Sequence, residues 1–319
     1  MVATAMIVVG LGAVSEQRTI AREPTWGATF SPSHVQYLGL DWREAYAALS
    51  DDLGVDDFRI PINWNWIEPQ TDVYETAWLD ELTLMAAKRG DRLTLVVGQK
   101  TPRWPECHFP DWVRALDDDA RESEALDMVR VVVERYRWNP SVIAWQVENE
   151  PLFPFGECPR IGRSFLKREV AVVRAFDPDR PVILTDSGEL GDWIRASRLG
   201  DLLGISVYRE TWNAWFGEFL YPQEPDFYRR KARMVAPRFT SSVFVSELQV
   251  EPWGAKGILD MTEDEQLRSM SVDRVREHIA YARATNFPSV YLWGVEWWYW
   301  RLLKGDSRYW ELGRTIFNP

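Results

Sequence analysis

Two glutamates stand where apolar runs stop. Glu150 follows Val142-Ile143-Ala144-Trp145-Gln146-Val147, with Glu148 and Asn149 between, and Glu247 follows Val243-Phe244-Val245-Ser246. Positions 150 and 247 lie three units of about 32 residues apart, and a strand–helix–strand unit needs about 30 or more. The pair therefore fits strands four and seven of a repeating α/β unit, facing each other across a barrel mouth. Two carboxyl groups flanking one bond can split a glycosidic linkage. One must be protonated to help the leaving oxygen depart, and the other ionised to attack or to activate water. Glu148, Glu251 and Glu296 are competing carboxylates, and Glu296, just past its strand end, is a candidate to bind a sugar hydroxyl. Tryptophan adds a second signal, with 18 among 319 residues. A core does not need so many indoles. A flat apolar face with one N–H suits the C–H face of a sugar ring.

These side chains need a scaffold that delivers them to one place. Short β-rich runs alternate with longer segments of helical period, and no linker, charge block or low-complexity tract divides them. The runs read as strands are Gly27–Phe30, Asp57–Ile62, Leu93–Val97, Val142–Val147, Val182–Leu184, Leu203–Val207, Val243–Val245 and Ser289–Trp293. Helical patterns fall at Trp42–Leu53, Ala77–Arg89, Glu122–Tyr136, Ser164–Ala175, Asp226–Val235 and Glu265–Ala284, with Asp226 and Thr262 as expected N-caps. A strand–helix unit repeated about eight times, about 40 residues each, predicts an α/β fold, a single-domain (β/α)8 TIM barrel over residues 25–319. The rival, an open doubly wound sheet, usually carries a glycine-rich turn after its first strand, and Ser31-Pro32-Ser33-His34 is no such turn. Barrels of this kind place their chemistry at the C-terminal strand ends. Polar and Trp residues collect at those ends, among them Trp64, Trp66, Trp212, Trp215, Trp297 and Trp298. If these indoles face the cleft, they offer stacking surfaces for several sugar units, so oligo- or polysaccharides are expected over single-sugar glycosides.

Composition excludes other classes. The net charge is −11, a field that repels phosphate backbones, so no nucleic-acid partner is expected. His34, His108 and His278 lie far apart and, with two cysteines, make no local zinc cluster. No metal and no organic cofactor is expected. Residues 1–24 form an apolar N-terminal segment, either signal-like or a barrel-bottom helix, with membrane attachment only if it is a trimmed anchor. Secretion or export is the expected location, cytoplasm the alternative. Cys107 and Cys158 fall in neighbouring loops at one barrel end, where an exported protein could bridge them. Two free thiols are the alternative.

The motifs resemble a known family. Trp145-Gln146-Val147-Glu148-Asn149-Glu150-Pro151 resembles the fourth-strand Asn-Glu-Pro signature of glycoside hydrolase clan A, and Phe244-Val245-Ser246-Glu247 its seventh-strand nucleophile site. Phe58-Arg59-Ile60-Pro61 resembles the second-strand arginine motif, Tyr208 the sixth-strand tyrosine and Trp293 the eighth-strand tryptophan. The resemblance runs from about Trp26 to Trp300. It implies a retaining β-glycoside hydrolase with Glu150 as acid/base and Glu247 as nucleophile. Asn149 would hold the sugar 2-hydroxyl, and Arg59 and Tyr208 the nucleophile, although Arg59 could instead be a structural ion pair. Trp293 would either floor the first sugar subsite or pack the barrel top. Two positions depart from the cellulase-like family 5 pattern. Ser206 stands where that pattern has a histidine, and the third strand ends Gly98-Gln99-Lys100 without one. The Gln-Val-Glu-Asn-Glu run also resembles clan A β-galactosidases of family 35. The alternatives are transglycosylation on the same scaffold and a non-catalytic carbohydrate-binding barrel.

Overall fold

The computed structural model describes residues 23–213, 217–236 and 238–318. Most of the apolar segment expected over residues 1–24 lies outside the described residues, as does Trp215. The barrel strands are β1 (Thr25–Thr29), β2 (Asp57–Pro61), β3 (Arg92–Val97), β4 (Val142–Val147), β5 (Val182–Ser187), β6 (Leu202–Val207), β7 (Ser242–Gln249) and β8 (Ser289–Trp293). All pair in parallel and close on themselves, β1 lying between β8 and β2. This is the (β/α)8 barrel. The strands are near-continuous apolar runs because a parallel barrel is covered on both faces.

Inside the barrel, Ala144, Ile183, Phe244 and Tyr291 form a compact plug. Gly27 makes room for it, since a Cβ there would lie 2.7 Å from both the Tyr291 ring and the Asp57 carbonyl. The larger apolar layer lies between strands and helices. One register change positions the site. Between β6 and β7, Ile205 pairs with Val245 but Ser206 pairs with Glu247, so β7 bulges at Ser246. A bulge re-aims the side chains beyond it, and here it turns Glu247 toward the mouth opposite Ser206.

The helices follow the sequence reading with local corrections. Ala77–Arg89 ends at Gly90, whose φ of 80° only glycine adopts readily. Thr262 caps its helix with a full capping box, but the expected Glu265–Ala284 helix is two, Glu263–Ser269 and Val272–Thr285, the second capped by Ser271. Asp226 is not a cap. Pro225 takes the first helical position and moves the N-cap to Glu224. Beyond β6 the chain forms a hairpin, Glu210–Asn213 with Gly217–Leu220. Among the described residues no helix is long and apolar enough to cross a membrane.

Candidate active site

The centre is Arg59 on β2, whose side chain is 1% exposed. Its Nε donates to Gln146 Oε1 (2.7 Å), Nη1 to Glu247 Oε1 (2.7 Å) and Thr29 Oγ1 (3.3 Å), and Nη2 to Asn149 Oδ1 (2.8 Å). One guanidinium thus ties β1, β2, β4 and β7 together. Its planar fork of donors suits this, where a lysine would serve one partner at a time. The second oxygen of Glu247 accepts from Tyr208 Oη at 2.8 Å. Both oxygens are held, so the plane of the carboxylate is fixed. Burial and the neighbouring Glu247 push the Tyr208 phenol well above its ordinary value, so it stays a donor.

Glu150 lies across the mouth. Its backbone and that of Glu148 sit at φ 43° and 58°, a left-handed region that costs a non-glycine residue on the order of 1–3 kcal/mol. The surrounding bonds hold this geometry. Thr185 Oγ1 accepts from Glu150 N (2.8 Å), Lys100 Nζ donates to the Glu150 carbonyl (3.1 Å), and the Glu148 carboxylate accepts from Gln99 N and Lys100 N (2.9 and 2.5 Å). Gly98, at φ 124°, lets Glu148 lie against the end of β3, for a Cβ there would be 2.5 Å from its carboxyl carbon. The Glu150 side chain accepts a 2.5 Å bond from Ser206 Oγ. Burial, then Glu247, then Glu106 push its carboxyl well above the usual range, with Ser206 and Lys100 pulling the other way. Glu150 therefore holds its proton more firmly than an ordinary glutamate.

Sequence reasoning misses two members of this site. Ser206 was noted only as the place of an absent histidine. Glu106 accepts from Asn149 Nδ2 (3.1 Å) and pairs with Lys100 Nζ (3.1 Å). Burial lifts its carboxyl to about 7, Lys100 opposing and Glu247 adding. Glu106 lies in a loop of irregular backbone, and nothing in the sequence directs it to Asn149. With Asn149 anchored by Arg59 and Glu106, one amide hydrogen remains for a ligand.

The TIM barrel domain of glycosyl hydrolases family 2 matches residues 70–213. β-Galactosidase BgaH of Haloferax lucentense is 33% identical over 145 residues, 40% of this chain and 21% of that one. The chain thus matches about a fifth of the length of such relatives. Among solved structures, the exo-β-1,4-mannosidase Op5Man5 of an Opitutaceae bacterium aligns with a TM-score of 0.60 at 14% identity, covering 93% of this chain and 60% of that one. A family 10 endo-β-1,4-xylanase of Gloeophyllum trabeum aligns with a TM-score of 0.57 at 14% identity, over 86% and 85%. These structural likenesses are of fold.

The chain is similar to the glycoside hydrolase barrels of clan A. In this barrel several expected site residues are elsewhere. Trp64 and Trp297 are core residues, 1% and 0% exposed. Trp64 turns down onto Phe109 and Trp112, its Nε1 donating to Glu68, and Trp297 packs on Tyr309 with its Nε1 on Gln266. Trp298 is buried with its Nε1 on the Val250 carbonyl. Trp66 packs edge-on against Trp78 of the outer helix Ala77–Arg89. Trp212 is half-buried on the hairpin. Glu296 is fully buried and already occupied, accepting from Ser31 N (2.9 Å) and Arg103 Nη2 (2.9 Å). It supports the wall of the mouth rather than facing it.

Trp293 stays at the mouth, its ring 6.4 Å from Tyr208 and under the Arg103 guanidinium at 4.1 Å. A different set of rings leads outward, from Tyr208 to Trp253 (5.3 Å), Phe155 (6.0 Å) and Trp104 (6.0 Å), the last 63% exposed. Cys107 and Cys158 are joined, tying the loops after β3 and β4. Among the described residues no group of three His, Cys, Asp or Glu side chains could hold a metal ion.

Proposed function

We propose that the barrel hydrolyses β-glycosides with retention of configuration. The carrying observation is the unlike treatment of two facing carboxyl groups. Glu247 is gripped on both oxygens by Arg59 and Tyr208, while burial and Glu247 push the Glu150 carboxyl well above the usual range. In the first step a Glu247 oxygen attacks the anomeric carbon, the glycosidic C–O bond breaks, and the Glu150 proton passes to the departing oxygen. Glu247 is then an ester and its charge is gone, so Glu150 yields its proton more readily. In the second step it takes a proton from water, which attacks the anomeric carbon and frees Glu247. The curated relatives that match are named β-galactosidases, so aryl β-galactosides head the substrates to try, followed by glucosides, mannosides and xylosides. The Cys107–Cys158 bridge favours an oxidising compartment, hence export.

The test uses activated aryl β-glycosides and both alanine variants. Glu150→Ala should slow turnover by about 10²-fold or more and be rescued by azide, giving a β-glycosyl azide. Glu247→Ala should lose the covalent intermediate and give the α-azide by direct displacement. Variants that both stay within about tenfold of wild type would exclude acid/base and nucleophilic roles.

A further inference from the structure

The loop after β3 crosses the barrel mouth as a strap. Arg103, at φ 89°, reaches Glu251 beyond β7 and Glu296 beyond β8, Glu106 reaches Asn149, and Cys107 is joined to Cys158. The strap and the segment that carries Glu150 leave neighbouring strands, β3 and β4. One side chain joins their roots. The Glu148 carboxylate accepts from Gln99 N and Lys100 N, where the strap begins, and stands two residues before Glu150. The backbone repeats the tie, Glu148 N donating to the Val97 carbonyl and Asn149 N to that of Lys100. Glu148 and Glu150 both have positive φ, and a strained turn persists only where its surroundings over-determine it. This clasp does so.

Behind the clasp stands a second glutamate that the two-step mechanism does not use. Glu169, on the helix Arg163–Phe176, is 0% exposed, as is Glu148, and the two carboxyl groups face each other. As a carboxylate, Glu169 would have no donor at either oxygen, a large cost for a buried charge. The nearby cations are engaged elsewhere. Lys100 Nζ serves the Glu150 and Phe153 carbonyls, Arg121 serves Gln99 and Asp118, and Arg168 pairs with Glu122. Two buried carboxyl groups in contact do not both ionise readily, so the pair keeps a proton. Glu148 already accepts two amide N–H bonds, which favour its charged form. The proton therefore belongs to Glu169, whose O–H donates to Glu148. Burial and then Glu148 accordingly push the Glu169 carboxyl well above the usual range, Glu122 adding and Arg168 opposing. Burial raises Glu148 too, but the bond from Glu169 and the two amides pull it back.

We propose that Glu169 is a positioning residue for the acid/base: its hydroxyl donates to Glu148, keeps that carboxylate on the root of the strap, and so fixes the turn that aims Glu150. This rests on the reading of Glu150 as the acid/base. Fully buried on an outer helix, Glu169 acts only through Glu148.

The experiment uses the full chain with Glu169→Leu and with Glu169→Gln, whose amide can donate to Glu148 as the acid does. Two substrates are compared. An alkyl β-glycoside needs a proton on its leaving oxygen, and a dinitrophenyl β-glycoside does not. Glu169→Leu should lower kcat/KM for the alkyl glycoside by about tenfold or more, the usual effect of losing one hydrogen bond to a charged group. The dinitrophenyl glycoside should be nearly unaffected, and Glu169→Gln should recover most of the loss. A merely structural role would lower both substrates together. That result, or no loss in Glu169→Leu, would overturn the proposal while the hydrolase reading stands. Should Glu169→Leu fail to fold, Glu148→Gln, which lacks the charged acceptor, should show the same unequal loss, and equal losses or none would overturn the proposal. Infrared difference spectra between wild type and Glu169→Gln, taken above the pH at which an ordinary glutamate ionises, should contain the carbonyl stretch of a protonated buried carboxyl group. Its absence also overturns the proposal. If no glycoside is cleaved, hydrogen exchange decides. Faster exchange of the Gln99, Lys100 and Glu150 amides in Glu169→Leu, but not in Glu169→Gln, would leave the clasp standing and the hydrolase reading lost. Unchanged exchange would reject the clasp as well.

Discussion

Two residues around Glu150 make opposite electrostatic claims that a pH profile can separate. The Ser206 hydroxyl donates to Glu150 and favours its ionised form, whereas the Glu106 carboxylate disfavours it. Ser206→Ala should raise the Glu150 pKa and move the basic limb of kcat/KM to higher pH. Glu106→Gln should lower it and move the same limb to lower pH. Shifts in the same direction, or none, would show that neither residue acts on the acid/base. The limb of kcat/KM is the correct readout because it reports the free enzyme. Arg59 carries a different expectation. Arg59→Ala would strand Glu247 in a buried setting, and loss of one partner of such a pair costs about 3–5 kcal/mol, so thermal unfolding as well as activity should fall. The sequence revealed Glu150 and Glu247 because each stands where an apolar run stops, and Arg59 and Tyr208 through motifs that resemble those of clan A. It concealed Ser206, whose importance depends on a bulge one strand away, and Glu106, which lies in irregular backbone. It misplaced Trp64 and Trp297 because loop position does not say which way a ring turns.

The eight strands were legible because a parallel barrel strand is apolar on both faces, and the helix Ala77–Arg89 because its period and Gly90 stop agree. The strap after β3 was not, for its course is set by partners distant in sequence: Glu251, Glu296 and Cys158. Its bridge closes a loop of 51 residues, and removing such a bridge typically costs about 2–4 kcal/mol. Reduction, or paired Cys107→Ala and Cys158→Ala, should lower the melting temperature by roughly 5–10 °C. It should also raise KM for aryl glycosides more than it lowers kcat, since the strap binds rather than reacts. Gly156 adds a second staple, because a Cβ there would sit 2.9 Å from the Pro105 carbonyl. Gly156→Ala should push the strap outward and give a milder version of the same KM effect. A fall in kcat with KM unchanged would place the strap's influence on the chemical step instead.

The barrel mouth buries more acid than base, and that sets how the whole molecule responds to pH. Burial lifts Glu106 and Glu189 to about 7 and holds Glu150 and Glu169 well above their ordinary value. An unfolded glutamate loses its proton near 4.3. Between there and about 7 the folded protein holds more protons than the unfolded chain, so stability must fall as pH rises through that window. Glu251 works in the opposite sense. Burial opposes its ionisation, but Arg103 and His34 hold it at about 2, so its contribution is present above the unfolded value and is lost as pH falls toward 2. The two trends give a melting temperature that peaks in the mildly acidic range and declines on both sides. The net charge of −11 adds self-repulsion on the alkaline side. Calorimetry from about pH 3 to 8 tests this, and Glu189→Gln sharpens it. Glu189 Oε1 accepts from Tyr208 N (3.1 Å) and Tyr228 Oη (2.7 Å), bonds that a glutamine oxygen can keep while removing the titration. The variant should gain stability on wild type as pH rises from about 5 to 7 and flatten that limb. A wild-type melting temperature that rises over that interval would mean that the buried acids ionise in the folded state near their ordinary values.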